Sequence, residues 1–474
     1  MRRKIWMVWA LGLLVMAAAC TTGTDQGSAS EPGAEPPESS PPQTSPPEEE
    51  VPGGDEGSLP GGPVGAEALL ELEGRLAVTT GDQLAVMNPS GSEREVVSDP
   101  EVGAATQPTW SLDGTFLAWA LTDPARPEIE RLTIETGERV QVPTGPSPPI
   151  YLQWHDDSTR LGFLQNDVAN GGLTLRTVEE GGRAVVVSRG APLYFSWHPE
   201  TAALVTHVFA DGVDIIDVTP VQGPSPLFEP ELAFTAPAWI DDSSVLAARP
   251  GSLVRIDVDT GRTTELADLA SGTEFVLDPT RRLVAYVVPD SDIRSIGRSY
   301  AVPTDAVPTE INDGFGARQI VPGQQALRIL DLESGADVVV DLATPLAWEW
   351  SPDGSRLAIL APSTFGQERL RWYVWQRGAE GGPLGGGIVA ASSGFVPSEV
   401  DRTVYLPFFA QYAQSHTRWS PGGEALAFAG TINESSGVFV HVFGVTPQSV
   451  LVGDGDFVTW SRVDVTSGGR TSPA

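Results

Sequence analysis

One ten-residue pattern recurs along the chain and leaves little freedom in what it can fold into. Trp110-Ser-Leu-Asp-Gly-Thr-Phe-Leu-Ala-Trp119 matches Trp350-Ser-Pro-Asp-Gly-Ser-Arg-Leu-Ala-Ile359 and Trp419-Ser-Pro-Gly-Gly-Glu-Ala-Leu-Ala-Phe428. Weaker copies open at Trp154, Trp197 and Trp239, a copy without its tryptophan opens at Leu277, and a fragment opens at Trp460. Successive anchors lie 44, 43, 42, 38, 73, 69 and 41 residues apart. Seven of the eleven tryptophans beyond position 20 occupy this one repeat position. A period in this range marks an array of like units that bury their faces against each other.

Each unit reads as four short strands. In the first, Gln107–Trp110, Phe116–Leu121, Ile129–Ile134 and Val140–Val142 are apolar or alternating runs. Leu112-Asp113-Gly114 and Glu135-Thr136-Gly137 separate them as turns that favour positive φ. The second kind of turn recurs around Gly261 and Gly335. Four strands per unit of this length form the blade of a β-propeller. The chain is therefore expected to be all-β, a single propeller with each repeat tryptophan packed between blades. The first 30 residues after position 70 supply three strands without an inner one, Arg75–Thr79, Gln83–Met87 and Arg94–Val97, and the stretch after Trp460 has space for one strand. Pairing these ends removes the free edges and predicts eight blades, with seven as the alternative.

The pattern W-S-P-D-G-x-x-L-A resembles the repeat of TolB-type, WD-like bacterial propellers over about residues 73–462. That resemblance implies an extracytoplasmic propeller, commonly a binding platform, and says nothing specific about activity.

The N-terminus fits such a location. Arg2, Arg3 and Lys4 precede an uncharged run, Ile5–Ala19, and then Cys20, the only cysteine. Positive flank, short apolar core and small residues before a cleavage point make a secretory signal. The run is short for a membrane span. The cysteine's position resembles the lipobox of bacterial lipoproteins, with Ala17 where the family usually has leucine. Residues 1–20 are thus read as a lipoprotein signal, with Cys20 acylated and the protein held on a bacterial membrane at the cell surface or in the periplasm. Residues 21–66 hold ten Pro, nine Gly and nine acidic residues, with no basic or aromatic one. Such a segment cannot bury enough apolar surface to offset ordering entropy and is expected to be a disordered tether. Residues 67–474 are assigned to the propeller.

Charge excludes further classes. The chain carries −33, with a pI near 4.3, and losing the three leader bases takes it to −36. A phosphate-backbone reader needs a basic face, so no nucleic-acid partner is expected. Lys4 is the only lysine, which removes the P-loop lysine and Schiff-base chemistry from the mature chain. A single cysteine rules out a disulfide framework.

Two anchor gaps hold insertions, about 289–325 and 395–418. The first falls between the second and third strands of its blade. The second is placed between one blade's last strand and the next blade's first. By parity both are expected on one face of the ring. Loops this long inside a compact domain are usually functional or disordered. Tyr405, Phe408, Phe409, Tyr412 and His416 in the second suit a binding surface, or else fold back to plug the channel. Arg294, Arg298 and Arg318 in the first suit capture of a carboxylate or phosphate, or else form local ion pairs. Deleting 395–416 is expected to spare folding and abolish partner capture. His155 and His198 stand where other copies have serine and read as repeat positions. No local catalytic or metal motif is present, so no metal or cofactor is expected. Two functions remain: a membrane-tethered monomer that binds a protein, peptide or glycan on its long-loop face, or an extracytoplasmic hydrolase or lyase with dispersed His and carboxylate groups in the central channel.

Overall fold

The computed structural model describes residues 64–463 apart from 124, 180, 211–212, 220–234, 271–273, 290–308, 312–317, 321–324, 344, 364–368, 379–384 and 446–447. The leader, Cys20 and nearly all of the expected tether lie outside the described residues. So do Arg294 and Arg298.

Eight antiparallel sheets stand in a ring, each a blade whose strands run A to D outward from the axis. Blade 2 is Ala105–Trp110, Phe116–Leu121, Glu128–Thr133 and Arg139–Pro143, within two residues of the sequence reading at every boundary. Blade 3 (Pro149–Trp154 to Val185–Gly190), blade 5 (Ala238–Asp241 to Thr263–Asp268) and blade 7 (Ala347–Trp350 to Gly386–Ala391) repeat the plan. Blade 4 shows three strands among the described residues, Leu193–Trp197, Leu204–Ala210 and Val213–Thr219. Blade 1 closes the ring as expected. Its B, C and D strands are Leu76–Thr80, Gln83–Met87 and Glu95–Val96, and its A strand is the C-terminal Phe457–Trp460, pairing Leu76 with Trp460 and Thr79 with Phe457. A short helix, Val64–Leu70, precedes the ring, and its Leu69 is buried in the seam of blades 8 and 1.

The repeat tryptophan staples neighbouring blades. The indole N–H of Trp154 donates to Thr109 O at 3.1 Å, Trp197 to Gln153 O at 3.2 Å, and Trp419 to Glu349 O at 3.1 Å. Trp350 reaches Val276 O at 3.1 Å, although that blade lacks its own tryptophan. Each acceptor is the residue just before the repeat position of the preceding blade. In these four copies the buried indole satisfies its one donor while its ring fills the inter-blade gap, whereas the buried indole N–H groups of Trp110 and Trp239 find no partner among the described residues. At the seam Trp460 instead donates to Glu73 O at 3.0 Å.

The serine and aspartate of the repeat build the A–B turn. Ser111 Oγ donates to Asp113 Oδ1 at 2.7 Å and accepts the Phe116 N–H at 2.9 Å, and Ser351 does the same with Asp353 and Arg356 at 2.6 and 2.9 Å. The fourth position must be left-handed, as Gly114 (φ 72°) and Gly354 (φ 69°) are. His155 and His198 replace the serine in blades 3 and 4. The Nε2 of His155 donates to His198 O at 3.0 Å and Thr201 O at 2.7 Å, tying one turn to the next.

Blade 6 is Phe275–Leu277, Leu283–Pro289, Gln325–Asp331 and Asp337–Ala343. Its insertion leaves between strands B and C, where Pro289 faces Gln325, and includes a small hairpin, Thr309–Ile311 with Arg318–Ile320.

Blade 8 departs from expectation. Its A strand is in two pieces. Val396 and Pro397 pair with Thr431 and Gly430, while Trp419 bridges Leu426 farther along the same neighbour. The amide of Ser398 donates to Ala429 O, and that of Ala427 donates to Arg418 O. The second insertion is therefore not a loop between blades. It interrupts the inner strand itself, and the inner strand lines the channel.

Candidate functional site: the filled channel

The interrupting segment turns into the axis as a π-helical turn (Asp401–Tyr405), a 3-10 turn (Leu406–Phe408) and one α-helical turn (Phe409–Tyr412). It meets the inner strands of five other blades. Tyr412 Oη donates to Gln107 Oε1 of blade 2 at 2.9 Å, and Thr109 Oγ1 donates to Ser415 O at 3.3 Å. Tyr151 Oη of blade 3 donates to Gln411 O at 2.9 Å. Gln411 bridges to blade 4, its amide donating to Phe195 O at 2.9 Å and its carbonyl accepting from Phe195 N at 3.2 Å. Phe409 packs edge-on against Trp348 of blade 7, ring centres 4.6 Å apart. In blade 1 the Trp460 amide and Thr459 hydroxyl both donate to Thr417 O, at 2.7 and 3.0 Å. Where Tyr412 meets blade 2 the strand is bulged, with Gln107 in the left-handed region at φ 56° and the register shifting beside it.

A buried charge cluster anchors the base of the plug. Arg418, 1% exposed, holds Asp401 through two bonds of 2.6 and 3.1 Å, and its guanidinium lies 4.0 Å over the Tyr405 ring. Glu349, the channel-facing residue before Trp350, accepts Thr417 Oγ1 at 2.6 Å and the Arg418 amide at 2.9 Å. Burial pushes the Glu349 carboxyl above its ordinary range against these bonds. His416 is fully enclosed among Tyr151, Tyr412 and Phe457, with Nδ1 2.6 Å from Ser415 Oγ. Burial, helped by the charges of Arg418 and Arg462, pulls its pKa down to about 3. The ring is neutral at physiological pH.

The expected aromatic surface is thus corrected. Tyr405, Phe409, Tyr412 and His416 are interior side chains, and Phe408 is half-buried. Of the two alternatives for this segment, the structure takes the plug, because an excursion from an inner strand has the channel beside it. Deleting 395–416 would remove the packing of the axis, so it cannot be neutral for folding. Arg318 lies in the blade 6 hairpin, opposite Ile311, far in sequence from this cluster.

His, carboxylate and arginine groups do converge in the channel, but in the interior, where Asp401 holds Arg418, Glu349 holds Thr417 and the Arg418 amide, and His416 sits beside Ser415 among aromatic rings. Among the described residues, no group of three potential metal-ligating side chains comes together. Glu349 and Arg418 carried the signal that sequence reading passed over. The position before the repeat tryptophan faces the axis, and most copies place a small or neutral residue there (Thr109, Gln153, Ser196, Thr459), whereas these adjacent blades place opposite charges.

Several solved structures are similar to the chain at low identity. The chain is similar to the crystal structure of TolB from Acinetobacter baumannii at 13% identity, covering 64% of this chain and 61% of that one, with a TM-score of 0.35. It is similar to a eukaryotic initiation factor at 11% identity, covering 83% and 99%, TM-score 0.48. An oligogalacturonate lyase in complex with manganese matches at 13% identity, covering 78% and 98%, TM-score 0.44. The chain spans about three fifths of the length of that TolB structure. At such identities the likeness is one of fold. No protein-family model and no curated protein matches the chain. Fold and channel together define an eight-bladed β-propeller plugged by its own inner strand.

Proposed function

We propose that this protein is a membrane-tethered, extracytoplasmic binding module that takes a protein, peptide or glycan on the face carrying the blade 6 insertion. The observation that supports this reading is the filled channel. A dispersed active site there would need solvent and substrate access to Asp401, Glu349, Arg418 and His416, and all four are buried by the plug. Recognition is left to the loops, and the longest stretch of chain between paired strands of one blade is the one between Pro289 and Gln325. The leader and the lipobox-like Cys20 supply the attachment. No helix among the described residues is long and apolar enough to cross a membrane.

Pro289 and Gln325 face each other across the hairpin, so an Asn-Gly turn closes strands B and C when 290–324 are removed. Full-length protein with this replacement should keep its melting transition and lose capture of its partner from solubilised membranes. Capture unchanged by the replacement would overturn the assignment of this face. Labelled palmitate should follow Cys20 and be absent from Cys20→Ser.

A further inference from the structure

On the opposite face the A–B turns surround the other mouth of the channel, and three of them carry the charged side chains Asp156, Arg281 and Arg462. Arg281 of blade 6 reaches across the mouth to Asp156 of blade 3, Nη2 to Oδ2 3.3 Å. Arg281 occupies the turn position that is glycine in blades 2, 7 and 8, and it does so at φ 59°. A bulky residue in that conformation is strained where glycine is free. Arg462, just past the blade 1 repeat, holds the turn position in blade 1 that Asp156 holds in blade 3. Its guanidinium donates to the plug's Gln414 O at 2.8 Å. Burial pulls its pKa below the ordinary value, with the charge of Asp156 as the leading opposing influence.

Arg281 is therefore paired with Asp156, and Arg462, held against the plug through Gln414, lies within the field of the same carboxylate. Elsewhere around this rim the turn carboxylates face inward to their own turns, as Asp113 and Asp353 do with their serines and following amides. We propose that this mouth is a binding site for a single small anionic group, a carboxylate or a phosphate, with Asp156 as the internal anion that the ligand displaces from Arg281. The guanidinium fork matches either oxyanion in a bidentate fashion, and partial desolvation strengthens the contact. This site is independent of the blade 6 insertion on the far face.

Titration calorimetry of the full chain at low ionic strength, with citrate, acetate and inorganic phosphate as separate probes, tests it. One equivalent of at least one probe should bind, and the ranking separates carboxylate from phosphate. Arg281→Gly should weaken binding at least tenfold without lowering the melting midpoint, because glycine fits the left-handed turn. Arg462→Gln should weaken binding similarly. Asp156→Asn should bind several-fold more tightly, since the competing internal anion is gone. Absence of binding at millimolar probe, full affinity in Arg281→Gly, or weaker binding in Asp156→Asn would each overturn the proposal.

Discussion

His416 shows how much a single buried residue sets the response of this fold to acid. Its ordinary pKa of 6.5 applies to the unfolded chain, and burial lowers it to about 3 in the folded one. His207 and His441 are likewise lowered by burial to about 4. Between these values the unfolded chain binds the proton and the folded chain does not. Stability is therefore fully present above pH 6.5 and is lost as pH falls. Each such group contributes a slope of about 1.4 kcal/mol per pH unit in that window. In urea titrations from pH 6.5 to 4.5, His416→Asn should show a slope shallower than the parent by about that amount. Parallel slopes would mean that the ring is protonated in the fold. At this scale the chain was partly legible. The tryptophans announce themselves by spacing, and His155 and His198 by standing in the serine's place. His416 did not, because a histidine in an aperiodic stretch looks the same whether it points to solvent or to the axis.

Among the elements, the plug is the one that periodicity could not place. Strand A of blade 8 begins as two residues, Val396 and Pro397, too short to register as a strand. The helical turns that follow are brief, of three kinds, and carry Pro407, so no 3.6-residue pattern builds up. A gap with aromatics and no pattern reads as a surface loop. What holds the segment inside is the Arg418–Asp401 pair together with its bonds to neighbouring strands. Removing one member of a buried pair leaves an uncompensated charge, which costs about 3–5 kcal/mol, whereas replacing both with apolar groups is often neutral. Asp401→Asn should therefore lower unfolding free energy by about that amount, and the double variant Asp401→Leu/Arg418→Met should recover most of the loss. Additive losses in the double-mutant cycle would show that the two groups act separately.

For the whole molecule, strand arithmetic was enough to predict closure. An N-terminal set of three strands and a C-terminal orphan make one blade, and the alternative leaves two open edges in a ring. Closure also explains why the C-terminal strand is among the best packed. Phe457, Val458 and Trp460 are buried, Ser461 exchanges bonds with Arg75 at 2.9 Å in both directions, and Asp456 accepts the Gly81 amide at 2.8 Å. A stop codon after Gly455 would expose strand B of blade 1 along its length and strip these contacts. At roughly 1.5–3 kcal/mol for each of these three large apolar side chains, the loss is about 4.5–9 kcal/mol, comparable with the whole stability of an ordinary domain. The truncated chain should lose its single cooperative melt and associate through the freed edge. A chain permuted to join the two ends of the seam, with new termini in the blade 6 insertion, should melt like the parent because no strand pairing is cut. If the truncation melts cooperatively near the parent temperature, the plug rather than the C-terminal strand closes the ring, and Asp401→Asn in the truncated background would then abolish folding.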